Sequence, residues 1–352
     1  MKQFSEYVSL GHPDKIADYI SQYILDKYIA ADPDTRYAVE VQVKNFRITL
    51  GGEVTSKAQF SAAELRLFAQ EAVNDIGYDD IYMATWGADN AICGRLMEVE
   101  CLINQQSPDI AQGLDGWGDQ GIFFGYAEPD DNGFGGMPKD HALAKRLCKA
   151  LFESGLGGLD IKTQVITDNG DVKKVIVAIP LRDGQSVKPV KSLVKRCIGG
   201  GHYKVIINGT GRYVRHSSIA DCGTTGRKLA VDFYGGNCRI GGGSPWTKDG
   251  SKADLTLNIA ARHIARTWAN KVGVPVTAAI ACCIGRKQVD ISVRDNADNV
   301  LFESSDIELS PAEMRRLFNL DKPIYASMCR WGLFGEFQQD KAWEQPLLKA
   351  SR

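Results

Sequence analysis

The sequence predicts an α+β fold built from three similar units, each a β-sheet with helices on one face. First, the order helix–strand–strand–helix occurs three times, starting near residues 14, 138 and 252. Second, the helical segments repeat apolar residues at every third or fourth position, whereas the strand segments alternate apolar and polar residues. Because the helices would cover one face of each sheet, we expect the other face to be covered by another sheet or by a partner subunit.

The first round starts with a helix over residues 14–30, whose apolar residues recur at helical spacing: Ile16, Ile20, Tyr23 and Ile24. A strand follows, in which every second side chain is aliphatic or aromatic: Tyr37, Val39, Val41 and Val43. The second helix of this round begins at Ser61, because a serine three residues before Glu64 makes a capping box. These signals place one helix before the strands and one helix after them along the chain.

The second round starts with a helix over residues 139–154, which has three leucines at helical spacing: Leu143, Leu147 and Leu151. Residues 165–179 follow the pattern of a hairpin, with Asn169-Gly170 near its turn. Pro189 then suits the first turn of a helix, because its fixed φ is helical and its missing N–H is not needed there.

The third round starts with a helix over residues 252–271, whose inward side chains are predicted to be Leu257, Ala261, Ile264 and Trp268. Strands are predicted around residues 278–284 and 289–293. The last helix opens at Ser310, which makes a capping box with Glu313 and has proline at the first helical position.

Composition and charge restrict the class of protein. The chain has 352 residues and a formal net charge of −1, so its bulk charge favours neither nucleic acid nor an anionic membrane as a partner. The N-terminal MKQFSEYVSL lacks the apolar core of a secretory signal, and no apolar run reaches the ~18 residues that would span a bilayer. The nine cysteines include no Cys-x-x-Cys pair, so we expect reduced thiols in a cytoplasmic protein.

A glycine-rich stretch, GGGSPWTKDGSKAD at residues 241–254, raises the question of a phosphate site. It does not match the Walker loop, because Thr247 and Asp249 flank Lys248 where that loop requires glycine and Ser/Thr. The glycines still permit close backbone approach to an anion, and Lys248 and Lys252 flank the expected start of a helix. The alternative reading is a flexible surface loop with solvated lysines.

Four further polar stretches look too specific for connecting loops, although each alone has a plainer reading: a surface or capping histidine, an exposed turn with solvated charges, an exposed strand edge and a plain surface loop, in the order given next. They are GHPDK at 11–15, DCGTTGRK at 221–228, DIK at 160–162, and a lid-like segment at 105–113 with 118–121. Together with the glycine-rich stretch they supply cations and carboxylates: His12, Lys162, Arg227, Lys228, Lys248, Lys252, Asp14, Asp119, Asp221 and Asp254. Such a set is suited to holding a polyphosphate with a divalent metal ion.

Taken in order, these motifs resemble those of the S-adenosylmethionine synthetase (methionine adenosyltransferase) family along nearly the whole chain. Several of them are specific, and their shared order leaves little room for chance agreement. The matching motifs are GHPDKIAD (11–18), GGEVTS (51–56), QSPDIAQG (106–113), GDQGIFFGYA (118–127), TGRYV (210–214), DCGTTGRK (221–228), YGG (234–236), GGGSPWTKDGSKAD (241–254) and PIY…GLFG (323–335).

The resemblance implies an architecture of three βαββαβ-type units about a pseudo-threefold axis, which agrees with the threefold repeat. On this basis we place interleaved units at approximately residues 1–107, 114–217 and 218–352, the last carrying the glycine-rich triphosphate loop. The resemblance also implies a homodimer with active sites shared between its subunits, and dimers that can pair into a homotetramer.

The resemblance implies that the sulfur of methionine attacks C5′ of ATP, giving S-adenosylmethionine and triphosphate. The triphosphate is then hydrolysed to pyrophosphate and phosphate before release. The family uses Mg²⁺, with a pair of ions expected at each site, and is stimulated by K⁺. Because a neutral sulfur attacks carbon, the reaction needs no strong general base, and cations along the leaving triphosphate are the main catalytic resource.

Site residues carry over from the resemblance motif by motif. Those matched to the phosphates and their junction with the substrate are His12 (at the C5′ oxygen), Lys162, Arg227, Lys228, Lys248 and Lys252. The metal positions are Asp14 and Asp254 for Mg²⁺ and Glu40 for K⁺. Methionine contacts are matched by Glu53, Gln106, Asp221 and Lys252. Further ATP contacts are matched by Asp119, Asp160, Arg212, Tyr213, Asp221 and Ser244.

The chain departs from the family pattern without losing a principal ligand. Leu10 replaces an acid, Ile240 a histidine and Gly250 a proline, and only residues 113–117 join the QSPDI and GDQG motifs, where the family has a longer loop. The short loop bears on lid closure, methionine selectivity and product release. Two alternatives stay open: a non-catalytic homologue or partner subunit that binds ATP or S-adenosylmethionine, and a kinase-like phosphotransferase, which would form ADP.

Overall fold

The structure, a computed structural model, describes residues 2–104 and 116–345. Its strands are β1 Lys2–Val8, β2 Arg36–Lys44, β3 Arg47–Thr55, β4 Glu98–Asn104, β5 Gly121–Ala127, β6 Lys162–Asp168, β7 Asp171–Ala178, β8 Lys204–Ile207, β9 Gly223–Thr224, β10 Val276–Cys282, β11 Gln288–Asp295 and β12 Val300–Glu308. Its α-helices are α1 Pro13–Ala31, α2 Ala62–Ile76, α3 Asp80–Trp86, α4 Lys139–Glu153, α5 Lys188–Ile198, α6 Ser217–Ala220, α7 Leu229–Asp232, α8 Ala253–Val272, α9 Pro311–Leu317 and α10 Tyr325–Cys329.

The strands within the described ranges form three four-stranded sheets, which we call the first, second and third sheets. Their strand orders are β4-β3-β2-β9, β1-β6-β7-β8 and β12-β11-β10-β5. Helices α1 and α2 pack on the first sheet, α4 on the second with α5 beside it, and α8 on the third with α9 beside it. The predicted α+β class, with helices on one face of each sheet, is confirmed.

The second and third sheets each contain strands from segments that lie far apart along the chain. Strand β1 pairs antiparallel with β6 in the second sheet, and β5 pairs antiparallel with β10 in the third. The short strand β9 joins the edge of the first sheet beside β2. The exact boundaries of the units stay a prediction, but this pairing brings residues far apart in sequence to the same sheet edges.

Local signals in the sequence correspond to what the structure forms. The Ser61–Glu64 capping box is present at the start of α2, with both reciprocal hydrogen bonds made. In the hairpin of β6 and β7, Asn169 and Gly170 have φ of 50° and 82°, as a type I′ turn requires. The alternating side chains of β2 from Tyr37 to Val43 are buried beneath the helices. Leu257 and Ala261 of α8 are fully buried, whereas Ile264 and Trp268 are half-buried.

Helix α1 differs from a surface helix with one apolar stripe. Besides Ile16, Ile20 and Ile24, it buries polar residues on its other side, among them Asp14, Lys15 and Asp18. The reason is that β2, α2, β9 and α10 all pack against it. A helix so enclosed can hold charged side chains in fixed positions, provided that each has a partner. Within the described residues, no helix combines the length and apolar character that crossing a membrane requires.

Candidate active site

The first group of site residues lies around the start of α1, and we call it the α1 cluster: His12, Asp14, Lys162, Arg227 and Lys228. His12 is the N-cap of the helix, and its Nδ1 accepts the N–H of Asp14 at 3.1 Å. Asp14 accepts the N–H of Thr224 at 3.0 Å through Oδ1 and pairs with Lys228 Nζ at 2.5 Å through Oδ2. Arg227 Nε lies 3.6 Å from Asp14 Oδ1.

His12 is a neutral hydrogen-bond donor at this site. Burial and the nearby Lys162 and Lys228 ammonium groups lower the pKa of His12 to about 2. Because its Nδ1 already accepts a backbone N–H, the single proton of the neutral ring resides on Nε2. The imidazole can therefore donate a hydrogen bond among several cations without adding to their mutual repulsion.

A cavity of about 410 Å³ opens beside the α1 cluster. The predicted site residues that line it are His12, Asp160, Lys162, Arg212, Tyr213 and Asp221. Asp160 is buried, accepts the Ser217 N–H at 3.0 Å through Oδ2, and has no partner for Oδ1 among the described residues. Burial raises the pKa of this carboxyl to about 6.

The far rim of the cavity is formed by Arg212 and Tyr213. The Tyr213 hydroxyl donates to the backbone oxygen of Asp160 at 3.1 Å. This hydrogen bond joins the two walls of the cavity, one formed at Asp160 and the other at Tyr213. Arg212 is exposed and forms a two-pronged ion pair with Asp183, at 2.9 Å for each contact. A ligand that recruits Arg212 would therefore compete with Asp183.

The glycine-rich stretch forms a second group, which we call the glycine-loop cluster: Gly243, Ser244, Lys248, Lys252 and Asp254. Asp254 lies in the first turn of α8, accepts the Gly243 N–H at 2.7 Å, and forms an ion pair with Lys248. Lys252 occupies the N-cap position of that helix. The loop thus collects positive groups at a helix N-terminus, where the helix dipole also favours anions.

Glu40 of β2 connects the loop that carries Arg227 and Lys228 with the loop that carries Lys248. Its Oε2 accepts a hydrogen bond from Thr225 Oγ1, and its Oε1 accepts one from Thr247 Oγ1 at 3.2 Å. The loops also touch directly, because a Cβ added to Gly226 would lie 2.9 Å from the Cβ of Ser244. The DCGTTGRK segment and the glycine-rich stretch therefore meet above one strand, as a joint polyphosphate site requires.

The remaining predicted residues lie around these clusters. Glu53 is exposed on the helix-free face of the first sheet, in register with Ala38, whose backbone bridges to Lys248. The exposed Asp119 precedes β5, and its backbone oxygen accepts the Cys282 thiol at 3.3 Å. Asp221 is exposed on the cavity wall. Gln106 lies outside the described residues, as does most of the lid-like segment.

Sequence reasoning assigned no role to a buried charge network beneath the site. Lys15 Nζ contacts Asp232 at 2.6 Å and Asp18 at 3.1 Å, and it lies 4.7 Å from the centre of the Trp246 ring. Burial alone would lower the pKa of Lys15, but Asp232, Cys329 and Asp18 together outweigh burial and hold the pKa above its ordinary value. Asp18 accepts the Gly226 N–H at 2.8 Å, so the network fixes the loop that presents Arg227. The sequence signal is weak: a lysine and an aspartate three residues apart in a helix.

Carboxylate oxygens at the two clusters fit a hard divalent cation. Within residues 2–104 and 116–345, no three His, Cys, Asp or Glu side chains converge as a complete metal site. Asp14 and Asp254 instead each offer one carboxylate beside cationic residues. This is the donor set expected for Mg²⁺, which is commonly held by one or two carboxylates together with substrate phosphates.

The fold and the site define the class of protein: an α+β protein of three sheets, in which two groups of cationic side chains beside a cavity are suited to a polyphosphate ligand. Residues 2–108 match the family model described as S-adenosylmethionine synthetase, N-terminal domain, and residues 216–345 match the C-terminal domain of that family. The chain belongs to the S-adenosylmethionine synthetase family.

Similar proteins cover almost the whole chain. It is 34% identical to the S-adenosylmethionine synthases of Mycobacterium marinum and Mycolicibacterium gilvum, over 97% of this chain and 95% of each of theirs. Its structure is also similar to that of an unusual S-adenosylmethionine synthetase from Campylobacter jejuni. That match has a TM-score of 0.87 and 30% identity, and it covers 98% of this chain and 96% of the other.

Proposed function

We propose that this chain catalyses the synthesis of S-adenosylmethionine from ATP and methionine. A lone pair of the methionine sulfur forms the bond to C5′, and the C5′–O electrons leave with the triphosphate. Water then cleaves the triphosphate to pyrophosphate and phosphate. The observation that carries this proposal is the convergence of Arg227 and Lys228 on Asp14 and of Lys162 beside His12, next to a cavity with a free carboxylate oxygen on Asp160.

The α1 cluster supplies charge where the leaving group gains it. His12 donates from Nε2 to the C5′ oxygen, and Lys162 stabilises the negative charge that grows there. Arg227 and Lys228 hold the phosphates, and Lys248 and Lys252 approach them from the glycine-loop cluster. None of these groups has to remove a proton from the sulfur, so the neutral state of His12 is suited to its role.

The cavity holds the adenosine. Asp160, Arg212 and Tyr213 contact the nucleoside, with Asp221, Ser244 and Asp119 at its margins. Glu53, Gln106, Asp221 and Lys252 orient methionine for in-line attack, which converts a bimolecular encounter into a positioned one. Support comes from the lining of the cavity and from the backbone proximity of Glu53 to Lys248 across Ala38.

Members of this family require a divalent metal ion, and we propose Mg²⁺, a pair at each site, held by Asp14 and Asp254. Bound Mg²⁺ neutralises charge on the triphosphate. K⁺ is placed at Glu40, where the hydroxyl oxygens of Thr225 and Thr247 lie beside the carboxylate. In each case the chain contributes oxygen ligands, in keeping with the preference of hard cations.

ATP and methionine are the substrates, and we propose a homodimer whose subunits share the active sites, with a tetramer as its further assembly. Glu40 and Glu53 both lie exposed on the helix-free face of the first sheet, where a second chain would meet them. We also place the protein in the cytoplasm. All nine cysteines lie in the described part of the chain and none is in a disulfide, as expected for a reducing compartment.

Replacing Lys162 with methionine tests the proposed mechanism. Lys162→Met keeps the aliphatic stem and removes the charge, so we expect the rate of S-adenosylmethionine formation to fall at least about 100-fold. The assay supplies ATP and methionine with and without Mg²⁺ and K⁺, and it quantifies S-adenosylmethionine, pyrophosphate, phosphate and ADP. Circular dichroism checks that the fold is intact.

Lys173→Met is the matched control, because Lys173 is exposed on the neighbouring strand and, among residues 2–104 and 116–345, forms an ion pair only with Asp171, at 3.2 Å. We expect it to leave turnover unchanged. Normal turnover in Lys162→Met would remove Lys162 from the mechanism. ADP as the product of the wild-type chain would instead favour a phosphotransferase, and ligand binding without any product would favour a non-catalytic homologue.

A further inference from the structure

Behind the Asp160 wall of the cavity lies a group of aromatic side chains that we call the His216 cluster: Tyr78, Tyr82, Trp86 and His216. His216 is fully buried. Its ring centroid lies 4.9 Å from that of Trp86 and 5.8 Å from that of Tyr82, both edge to face. The proposed function gives none of these residues a role, yet the cluster packs against the backbone segments that form the cavity.

The hydrogen bonds of His216 define a single tautomer. The backbone oxygen of Val214 can only accept, so His216 Nδ1 carries the proton and donates to it at 2.7 Å. His216 Nε2 must then accept, and the Tyr82 hydroxyl donates to it at 2.6 Å. The Tyr82 oxygen in turn accepts the Leu159 N–H at 2.9 Å. A continuous chain of hydrogen bonds thus runs from Leu159 to Val214.

This chain of hydrogen bonds depends on a neutral imidazole. A protonated ring would present N–H groups on both nitrogens and could no longer accept from Tyr82. Burial lowers the pKa of His216 to about 4, so the ring stays neutral at physiological pH. Both nitrogens and the Tyr82 hydroxyl are then fully used, as buried polar groups require.

The two ends of the chain adjoin the two walls of the cavity. Leu159 precedes Asp160, and Val214 follows Tyr213. These walls are joined again in front of the cluster, because Tyr213 donates to the Asp160 backbone and the Ser217 N–H donates to its carboxylate. Fixing Leu159 against Val214 therefore fixes the Asp160 carboxylate against Tyr213.

The backbone is strained at Ser217, directly after His216. Its φ is 56°, a value that a residue other than glycine adopts at a cost in free energy. Such a conformation persists only when its surroundings hold it. Here the His216 N–H donates to the Asn90 oxygen at 2.9 Å, and the Ser217 N–H is directed at Asp160. The segment is held in the one conformation that aims a backbone donor at the Asp160 carboxylate.

We propose that Tyr82 and His216 are positioning residues for the nucleoside end of ATP, acting through the hydrogen-bond chain that sets Asp160 against Tyr213. This inference rests on the proposed function, since it takes the cavity to be the adenosine site. Neither residue lines the cavity, so neither is a catalytic residue. Their loss would loosen the nucleoside contacts and leave the phosphate and methionine contacts in place.

Tyr82→Phe is the test, because it removes one oxygen and keeps the ring. It leaves the Leu159 N–H and His216 Nε2 unpaired, so we expect the Kd for ATP and the KM for ATP to rise about tenfold. The KM for methionine and kcat should stay within about twofold of wild type. Calorimetry with ATP in the absence of methionine gives the Kd, and steady-state kinetics give the remaining constants.

Tyr203→Phe is the matched control. It also removes a hydroxyl that bonds a backbone oxygen, that of Gly199 at 2.9 Å, but it lies at the opposite end of the second sheet from Lys162. His216→Phe is the second variant, which keeps an aromatic ring in the cluster and removes both nitrogens. We expect it to weaken ATP binding as Tyr82→Phe does, whereas Tyr203→Phe should bind ATP as the wild type does.

Three outcomes would overturn the inference. One is an unchanged Kd for ATP in both cluster variants, another is an equal weakening for ATP and methionine, and the third is wild-type protein that binds no ATP. Failure of the proposed function is distinguishable: wild-type protein that binds ATP but forms no S-adenosylmethionine refutes that function. The ATP Kd of the variants would still decide whether the cluster positions the nucleoside.

Discussion

Asp14 and Asp254 illustrate how single residues can be prepared for a polyanion before it arrives. Each carboxylate is already paired with a lysine, Lys228 and Lys248 respectively. In the proposed function, the carboxylates would exchange ammonium for metal and the lysines would exchange carboxylate for phosphate when a metal–polyphosphate complex binds. Each charge thus has a partner in both states, which limits the desolvation cost that unpaired buried charges would bring.

His141, in the first turn of α4, carries a prediction for the dependence of stability on pH. It is buried 5.7 Å from the Tyr7 ring, and burial together with Lys145 lowers its pKa to about 3. Below its unfolded pKa of about 6.5, the unfolded chain takes up a proton that the folded chain refuses. The contribution of neutral His141 to the unfolding free energy is therefore complete above that pH. It falls by about 1.4 kcal/mol per pH unit as the pH drops towards the folded pKa.

The variant His141→Leu removes this proton uptake. At about pH 5 we expect it to recover about 2 kcal/mol of unfolding free energy that the wild type loses relative to about pH 8. Urea unfolding of both proteins at the two pH values measures this, and the pH 8 pair serves as the reference for any packing effect. Contributions from His12 and His216 are common to both proteins and cancel. An identical difference between variant and wild type at both pH values would contradict the assignment.

At the scale of elements, the contact of β5 with α8 depends on one glycine. A Cβ added to Gly125 would lie 2.0 Å from the backbone carbonyl carbon and oxygen of Ala261, so the strand and the helix could not stay at their present separation. We expect Gly125→Ala to reduce the unfolding free energy by at least about 3 kcal/mol, measured by urea unfolding.

Gly200→Ala is its control, because no atom lies within 4 Å of the added Cβ. We expect that change to stay within about 0.5 kcal/mol of wild type. Equal stability of Gly125→Ala and wild type would mean that β5 and α8 are not packed as described.

Elements with a local signal could be predicted from the sequence, and elements set by distant pairing could not. The start of α2 depends on Ser61 and Glu64 alone, so the capping box located it. Strand β12 has no clear sequence signal, because it is an edge strand whose pairing with β11 shifts register twice, which destroys the alternation of exposed and buried side chains. Strand β1 depends on pairing with β6, far along the chain, which no local pattern reveals.

The candidate site follows the same rule. His12, Asp14, Arg227 and Lys228 stand in short motifs, and the structure brings these motifs together. The supporting pairs are invisible in the sequence, since Lys15 meets Asp232 217 residues away and Tyr82 meets His216 134 residues away. Local residue types identify the groups that we propose to touch a ligand, whereas the groups that support them are defined only by the fold.

For the whole molecule, the helix-free faces of the sheets are the main unexplained surface. Each sheet carries a large apolar side chain there, Leu102 on the first, Phe4 on the second and Ile122 on the third, and each is 55% exposed. Apolar side chains on a sheet face favour burial against another layer. The proposed homodimer would supply that layer and would also bring a second chain over Glu40 and Glu53.

Leu102→Asp tests this arrangement. Leu102 lies on β4 in register with Gly51, which is itself in register with Glu40, so a charge there would be buried at the proposed interface beside the site. We expect the wild type to be a dimer or tetramer by light scattering and Leu102→Asp to be a folded monomer that has lost S-adenosylmethionine formation. Leu67→Asp is the matched control, since Leu67 is 51% exposed but lies on α2, on the helix side of the same sheet. That control should keep both assembly and activity, because its charge stays in water.

A wild-type monomer with full activity would refute the shared site, and an assembled, active Leu102→Asp would place the interface elsewhere.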